Sequence, residues 1–389
     1  MLVGNVQFYK GYLSSGIVRD KFDVLCKQSF IGNSRNIKEY KSYYKAMLLV
    51  SSNHVQDYCN LAIDEEIEFA RAKGETGICI QSDARHNQRK NSYFTDIVFI
   101  GKYTRKVLAI YTVFKRNEPV TQRHERLGTE VLIQRMQQIM TEKNFAILNA
   151  THDQNASVTN LYRSYGIDVQ TDTWHGVRSA IRTIGNKITS RDTPSAIKDQ
   201  LKTLISKIKT HFYWCCNFCD GDPEVLKKSL VCIASHLMDD HSDCSPNSDC
   251  NLPEYEIESP ISIESSQFLR KIIEESSLYK KPQEFALNQN TSNVESFNNS
   301  VLAFLDKRVR IQEDSYTLRM NLSVLAWNEN VGNANEKTYN FIDSLHFASI
   351  NNMLANEYEN DSDNGNDDND NESDNDNANE SDNEVMDEN

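Results

Sequence analysis

The stretch GICIQSD, residues 77–83, is a short β-rich run that closes on an acid, and FAILNATHD, residues 145–153, repeats that pattern. Between them lie two further β-rich runs, SYFTDIVFI (92–100) and KVLAIYTVF (106–114), separated by the turn-like GKYTR with its Gly101. The short connections predict an antiparallel meander for the first three strands. Residues 124–143 set Leu127, Val131, Leu132, Met136 and Ile139 at helical spacing. A short helix over 155–165, stopped by Gly166, a strand over 167–171 and a helix over 173–184 follow. The order, three strands and then alternating helix and strand, predicts an α/β fold. It puts Asp83 and Asp153 at the carboxyl ends of neighbouring strands, where open α/β sheets gather their reacting groups.

Outward from this core the chain divides further. Residues 1–75 read as a helical lead-in ending in Gly74. Residues 186–285 break the alternation and hold a basic helical stretch, a Cys/His cluster and a second helix near 264–279, an inserted helical domain. Residues 286–356 complete the core: Val294, Phe297, Val301, Phe304 and Leu305 form one helical face, and Glu295 stands on the adjacent polar side. Residues 357–389 carry 15 acids and no Lys or Arg, so a disordered acidic tail is expected. The formal net charge of −14 therefore belongs to the tail, because the other 356 residues hold 42 basic and 41 acidic groups. Such a tail can compete with DNA for basic surface on its own chain, or act only as a solvated extension. No apolar run is long enough to span a membrane. The amino end, broken by Gly, Asn, Gln and Lys, lacks the continuous apolar core of a secretory signal.

Three acids, Asp83, Asp153 and Glu295, form a set suited to phosphodiester chemistry. Two Mg²⁺ or Mn²⁺ ions, about 4 Å apart, can activate a hydroxyl and neutralise charge on the attacking and leaving oxygens. Magnesium takes hard oxygen ligands and keeps several waters, so a few carboxylates suffice. The competing reading is that acids at strand ends are solvated turn or cap residues.

The segments IQSDARHNQRKNSYFTDIVFIG, NATHDQNASVTNLY, DTWH and NVESFNNSVLAFLDKR resemble those of DDE-type cut-and-paste DNA transposases, of the Kolobok-like and Mutator-like groups, over roughly residues 60–330. The resemblance implies an RNase H-like core with an insertion, which the residues themselves mark as mainly helical and a candidate zinc binder. It puts the first catalytic Asp on Asp83, the second on Asp153 in an HD dipeptide, and the Glu on Glu295 in an ESF segment. Asp172 and His175 match an Asp-x-x-His signature that follows the second Asp, which implies a place near the acids or on the DNA. The 142-residue separation of Asp153 and Glu295 fits the expected insertion. The pattern departs at the amino end. Only Cys26, Cys59 and Cys79 precede Asp153, without the paired spacing of an N-terminal DNA-binding zinc module.

Two ligand sets for Zn²⁺ are legible in the insertion. Cys216 and Cys219 with His236 and His241 give C-x2-C, 16 residues, H-x4-H. His236, His241, Cys244 and Cys250 give a compact H-x4-H-x2-C-x5-C, which requires a helix to end between the histidines. The alternative is ordinary buried thiols and surface histidines. Lys198, Lys202, Lys207, Lys209, Lys227 and Lys228 flank the cluster and can meet phosphates. Phe212, Tyr213 and Trp214 are either core or base-stacking groups. Arg85, Arg89 and Lys90 follow Asp83 and are expected beside a bound phosphate.

The expected function is a metal-dependent DNA transposase or nuclease, nuclear, working on DNA and, by the family's habit, as a homodimer. DKRVR (306–310) is the one candidate import segment. Two other readings stand beside it. One is a catalytically silent, domesticated DNA-binding or chromatin-interaction protein. The other is a nuclease for RNA:DNA hybrids.

Overall fold

The computed structural model describes residues 10–12, 14–15, 37–88, 91–245, 250, 257–305, 311–333 and 337–363. Cys26, Arg89, Lys90, the DKRVR segment and residues 364–389 of the acidic tail lie outside the described residues, whereas residues 357–363, expected to be disordered with that tail, continue a helix.

A five-stranded mixed sheet is the frame. Its strands are β1 (Gly77–His86), β2 (Phe94–Gly101), β3 (Val107–Phe114), β4 (Ala146–His152) and β5 (Asp168–Thr171), in spatial order β3-β2-β1-β4-β5. The expected meander is present: β1 pairs antiparallel with β2, and β2 with β3. β4 joins β1 in parallel and β5 joins β4 in parallel. Parallel neighbours need crossover helices, and the chain supplies α2 (Thr121–Glu142) before β4 and α3 (Ala156–Ser164) before β5.

β2 is buried at every position because helices cover both faces of the sheet. Its alternate residues part to two cores. Ile97 and Phe99 enter one with Leu132, Ile133 and Met136 of α2 and with Leu161 and Tyr162 of α3. Val98 and Ile100 enter the other with α10 (Ser292–Ser300), α11 (Glu313–Asn330) and α12 (Asn340–Asp363). One helix of 36 residues, α1 (Ile37–Ala72), serves both, through Tyr43 and Met47 in the second core and Ile63 and Ile67 in the first. Among the described residues no helix is long and apolar enough to cross a membrane.

The insertion is helical: α4 (Thr173–Thr189), α5 (Ser195–Leu201), α6 (Ile205–Phe218), α7 (Pro223–His236), α8 (Ile263–Glu274) and the short α9 (Ser277–Lys280). Its core already includes Val177, Ala180 and Ile184, so the helical body begins inside α4 rather than at residue 186. Phe285 closes that core under Gly176, where a Cβ would collide with its ring.

Two local readings need correction. β1 does not close at Asp83 but runs on to His86; only its pairing with β4 ends there, after Gln81 opposite Thr151. The buried face of α2 is His124, Gly128, Thr129, Leu132, Ile133, Met136 and Met140; it shares Leu132 and Met136 with the expected stripe, while Val131 and Ile139 are half-buried and Leu127 is exposed. Gly128 belongs to this face because α2 rides so close to the sheet that a Cβ would meet Ile97.

Candidate functional site

Two residues beyond the last β1–β4 pair, Gln81 and Thr151, stand Asp83 and Asp153. Asp172 follows Thr171, the last residue of β5, where the β4–β5 pairing ends at His152. The carboxyl ends of the three parallel strands thus carry Asp83, Asp153 and Asp172 in a row.

Glu295 joins them by a specific linkage. Asp172 caps α4, accepting from the His175 backbone N–H at 2.9 Å. Its other oxygen accepts from both the backbone N–H and the hydroxyl of Thr291, each at 2.7 Å. Thr291 is the N-cap of α10, the helix that bears Glu295. The Thr173 N–H to Gln289 carbonyl bond, 2.9 Å, fastens the same two segments. One buried carboxylate therefore ties the start of α4 to the start of α10, and each helix brings one group to the acids. From α4 comes His175, its Nε2 3.4 Å from Glu295 Oε1. From α10, Asn298, one turn beyond Glu295, donates from Nδ2 to Asp83 Oδ2 at 3.2 Å.

The electrostatics agree with one acidic neighbourhood. Burial pushes the Asp83 carboxyl up to about 7, helped by the negative charge of Asp153 and, more weakly, by Glu125 and Glu295. Asp153 is raised too, by burial first, with Asp172 and Glu295 adding and His175 opposing. Glu125 on α2 is raised by burial and by Asp153. This fourth acid carries no sequence signal; only the fold brings it in. Asn155 links it to the row, capping α3 through the Ser157 N–H (3.0 Å) while its amide donates to Glu125 Oε2 at 2.8 Å. Asn298 is legible only once Glu295 is assigned, as its neighbour on the next turn.

Acids repelling one another around a half-buried carboxyl suit a hard cation, and every donor is oxygen. Their oxygens are spread, however. Among the described residues, the one group whose ligand atoms all lie within 4.8 Å of one another is His236, His241, Cys244 and Cys250. The acids form no such single-ion cage.

Arg85 does not reach the site. It is 5% exposed, and its guanidinium bonds Asp96 (3.2 Å), the Tyr316 hydroxyl (3.2 Å) and the Leu305 carbonyl (3.3 Å). Thr112 and Tyr316 both donate to Asp96. The group locks β1 and β2 to α11 and to the end of the α10 segment, holding up the acids from behind.

The His/Cys group is built on the end of α7. Asp222 caps this helix through the Glu224 and Val225 N–H groups, and Pro223 starts it. The helix ends at His236, and a turn through Asp239, at φ +69°, returns His241 to it. The helix stop required between the two histidines is thus present. The two Nδ1 atoms lie 3.2 Å apart, with Cys244 Sγ 3.6 and 3.8 Å from them. Asp239 Oδ1 lies 3.2 Å from His241 Nε2 and so fixes which nitrogen faces the group. Burial, with Cys250 beside it, raises the Cys244 thiol to about 12, so a proton must leave on metal binding. These four residues could hold a metal ion.

Of the two ligand sets, the structure assembles the compact one. Cys216 of α6 and Cys219, the residue that follows that helix, are core residues, and the Cys219 thiol donates to the Ala286 carbonyl at 3.3 Å. Phe212 is core, while Trp214 is exposed and stacked on Phe218.

No protein-family model, curated protein or solved structure matches the chain.

Proposed function

We propose that this protein is a transposase-like enzyme that cuts and joins DNA strands. On this reading the core is RNase H-like, and Asp83, Asp153 and Glu295 hold two Mg²⁺ or Mn²⁺ ions. The observation that carries the reading is the Asp172 linkage, which brings the Glu295 helix, 142 residues downstream of Asp153, back to the ends of β1 and β4. The strand order β3-β2-β1-β4-β5, with β2 alone running against the other four, supports the same fold reading. When bound, the ions would lower the pKa of the attacking hydroxyl and neutralise the phosphate.

The chain's own groups have distinct tasks. Behind burial, the charges of both Asp153 and Glu295 raise the Asp83 carboxyl, which suits a carboxylate shared by two ions. Asn298 holds Asp83 in place, and His175 holds Glu295. Glu125 adds negative charge behind Asp153 and strengthens cation binding. Zinc suits the second site: two imidazoles and two thiols are a tetrahedral structural set, and in the insertion it would fasten the end of α7 to the chain that leaves it. DNA is the partner, and the nucleus the place that DNA implies.

The test is strand cleavage with Mg²⁺ or Mn²⁺ by the wild type and by Asp83→Asn, Asp153→Asn and Glu295→Gln. Loss of activity of at least about a thousandfold in each is expected for carboxylates that hold catalytic ions. Equal cleavage by all four proteins overturns the assignment. A second reading, a DNA-binding protein without turnover, draws on the spread of the acid oxygens. It predicts salt-sensitive DNA binding by all four proteins and cleavage by none.

A further inference from the structure

We propose that the exposed face of α4 beside the acids, formed by Trp174, Arg178 and Arg182, holds an unpaired stretch of a DNA strand, with a base stacked on the Trp174 indole. The inference rests on the DNA reading above and names the form of DNA the site takes.

Trp174 is among the large apolar side chains left in solvent, 47% exposed, and it occurs at the rim of the acid row rather than in a core. Its neighbour in sequence is His175, whose ring it meets edge-on at 4.8 Å and which in turn contacts Glu295. One turn along the same face, the Arg178 guanidinium lies over the indole, 5.0 Å from the ring centre. A further turn on, Arg182 is exposed. Neither arginine has an ion pair among the described residues. Residues four apart on a helix share a face, so the three side chains make one strip that starts at Glu295 and climbs α4.

The chemistry of the strip selects its occupant. A duplex hides the faces of its bases, so an indole can stack only on a base that is unpaired or flipped out. Guanidinium groups without carboxylate partners meet phosphates, which recur along a strand as the arginines recur along the helix. An acidic peptide would satisfy the arginines but leave the indole without a flat partner. The Arg178 contact holds the indole upright against one side, which reduces the entropy lost when a base arrives.

The experiment compares two fluorescein-labelled duplexes of the same sequence, one blunt and one with a short 3′ thymidine overhang. Anisotropy is read in Ca²⁺, so that strands stay intact. The wild type is expected to favour the overhang. Trp174→Ala should lose about tenfold in affinity for the overhang duplex and nothing for the blunt one, the size of one base stack. Trp174→Phe should keep the preference, because a smaller ring still stacks. Arg178→Ala with Arg182→Ala should flatten the salt dependence of overhang binding. An overhang-to-blunt ratio that is one in the wild type, or unchanged in Trp174→Ala, overturns the inference. Failure of the cleavage reading looks different: the wild type would cut nothing while the overhang preference persists.

Discussion

At the scale of single residues, Asp83 is the most informative group. Its pKa rises from 3.8 to about 7 in the folded chain, chiefly by burial. Between those values the native state binds more proton than the unfolded state, so stability falls as pH rises. This contribution is fully present below about pH 4 and gone above about pH 7. Asp153 and Glu125 shift in the same direction and deepen the loss. A fold that weakens itself at neutral pH to keep carboxylates together is the usual sign of a site kept for binding. Metal-free Asp83→Asn should therefore melt about 3 °C above the wild type at pH 8, and the difference should vanish near pH 4. Thermal melts across pH check this, and a variant less stable at pH 8 would contradict it. Asp172 is the opposite case. It accepts three hydrogen bonds, so Asp172→Ala should cost about 3 kcal/mol in denaturant unfolding and also abolish cleavage, because the Glu295 helix loses its anchor. Asp172→Asn, which keeps an acceptor oxygen, should recover part of both.

At the scale of elements, periodicity carried most of the sheet. Short β-rich runs marked the strands, and their order along the chain was legible with Asp153 at its strand end. What pattern could not carry was the distance between elements. The stripe on α2 was displaced because Gly128, which has no side chain to count as apolar, is the point of closest approach to Ile97. Arg85 looked available because charge in sequence says nothing of depth, and its partners Asp96, Tyr316 and Leu305 come from elsewhere in the chain. Glu125 and Asn155 were silent for the same reason. In the insertion, both zinc sets had acceptable spacing. The choice between them was made by α6 and the residue that follows it, which put Cys216 and Cys219 in the core. Gly176 gives a test of how α4 sits. Its place against Phe285 leaves no room for a methyl group, so Gly176→Ala should destabilise by about 2 kcal/mol. Since α4 carries His175 and Trp174, DNA affinity should fall with it. Chemical denaturation measures the first effect and anisotropy the second.

At the scale of the whole molecule, the sheet, the acid row and the helical insertion form one assembly joined through Asp172 and through Glu284. Glu284 is buried and pairs with Arg163 at 2.6 Å, tying α3 to the far end of the insertion. The insertion's own His/Cys group is built on the end of α7, on elements other than those that carry the acids, which separates two kinds of metal dependence. Removing the metal from this group with a zinc chelator should lower the melting temperature of the insertion and release about one zinc per chain. Cys244→Ser should do the same, and neither should alter divalent binding at the acids. Zinc analysis with calorimetric melts tests that separation. On the DNA reading proposed above, the near-neutral charge of the first 356 residues would leave phosphate contacts to local groups such as Arg178 and Arg182, so binding should be strongly salt-sensitive without the chain being basic overall. The central claim is that Asp83 and Asp153 belong to one divalent site. It is tested most directly by calorimetric titration of Mn²⁺ into the wild type and into the double variant Asp83→Asn/Asp153→Asn, with zinc measured on the same samples. The wild type should bind Mn²⁺, the double variant should not, and both should hold equal zinc; unchanged Mn²⁺ binding in the double variant would mean that the two acids do not share a divalent site.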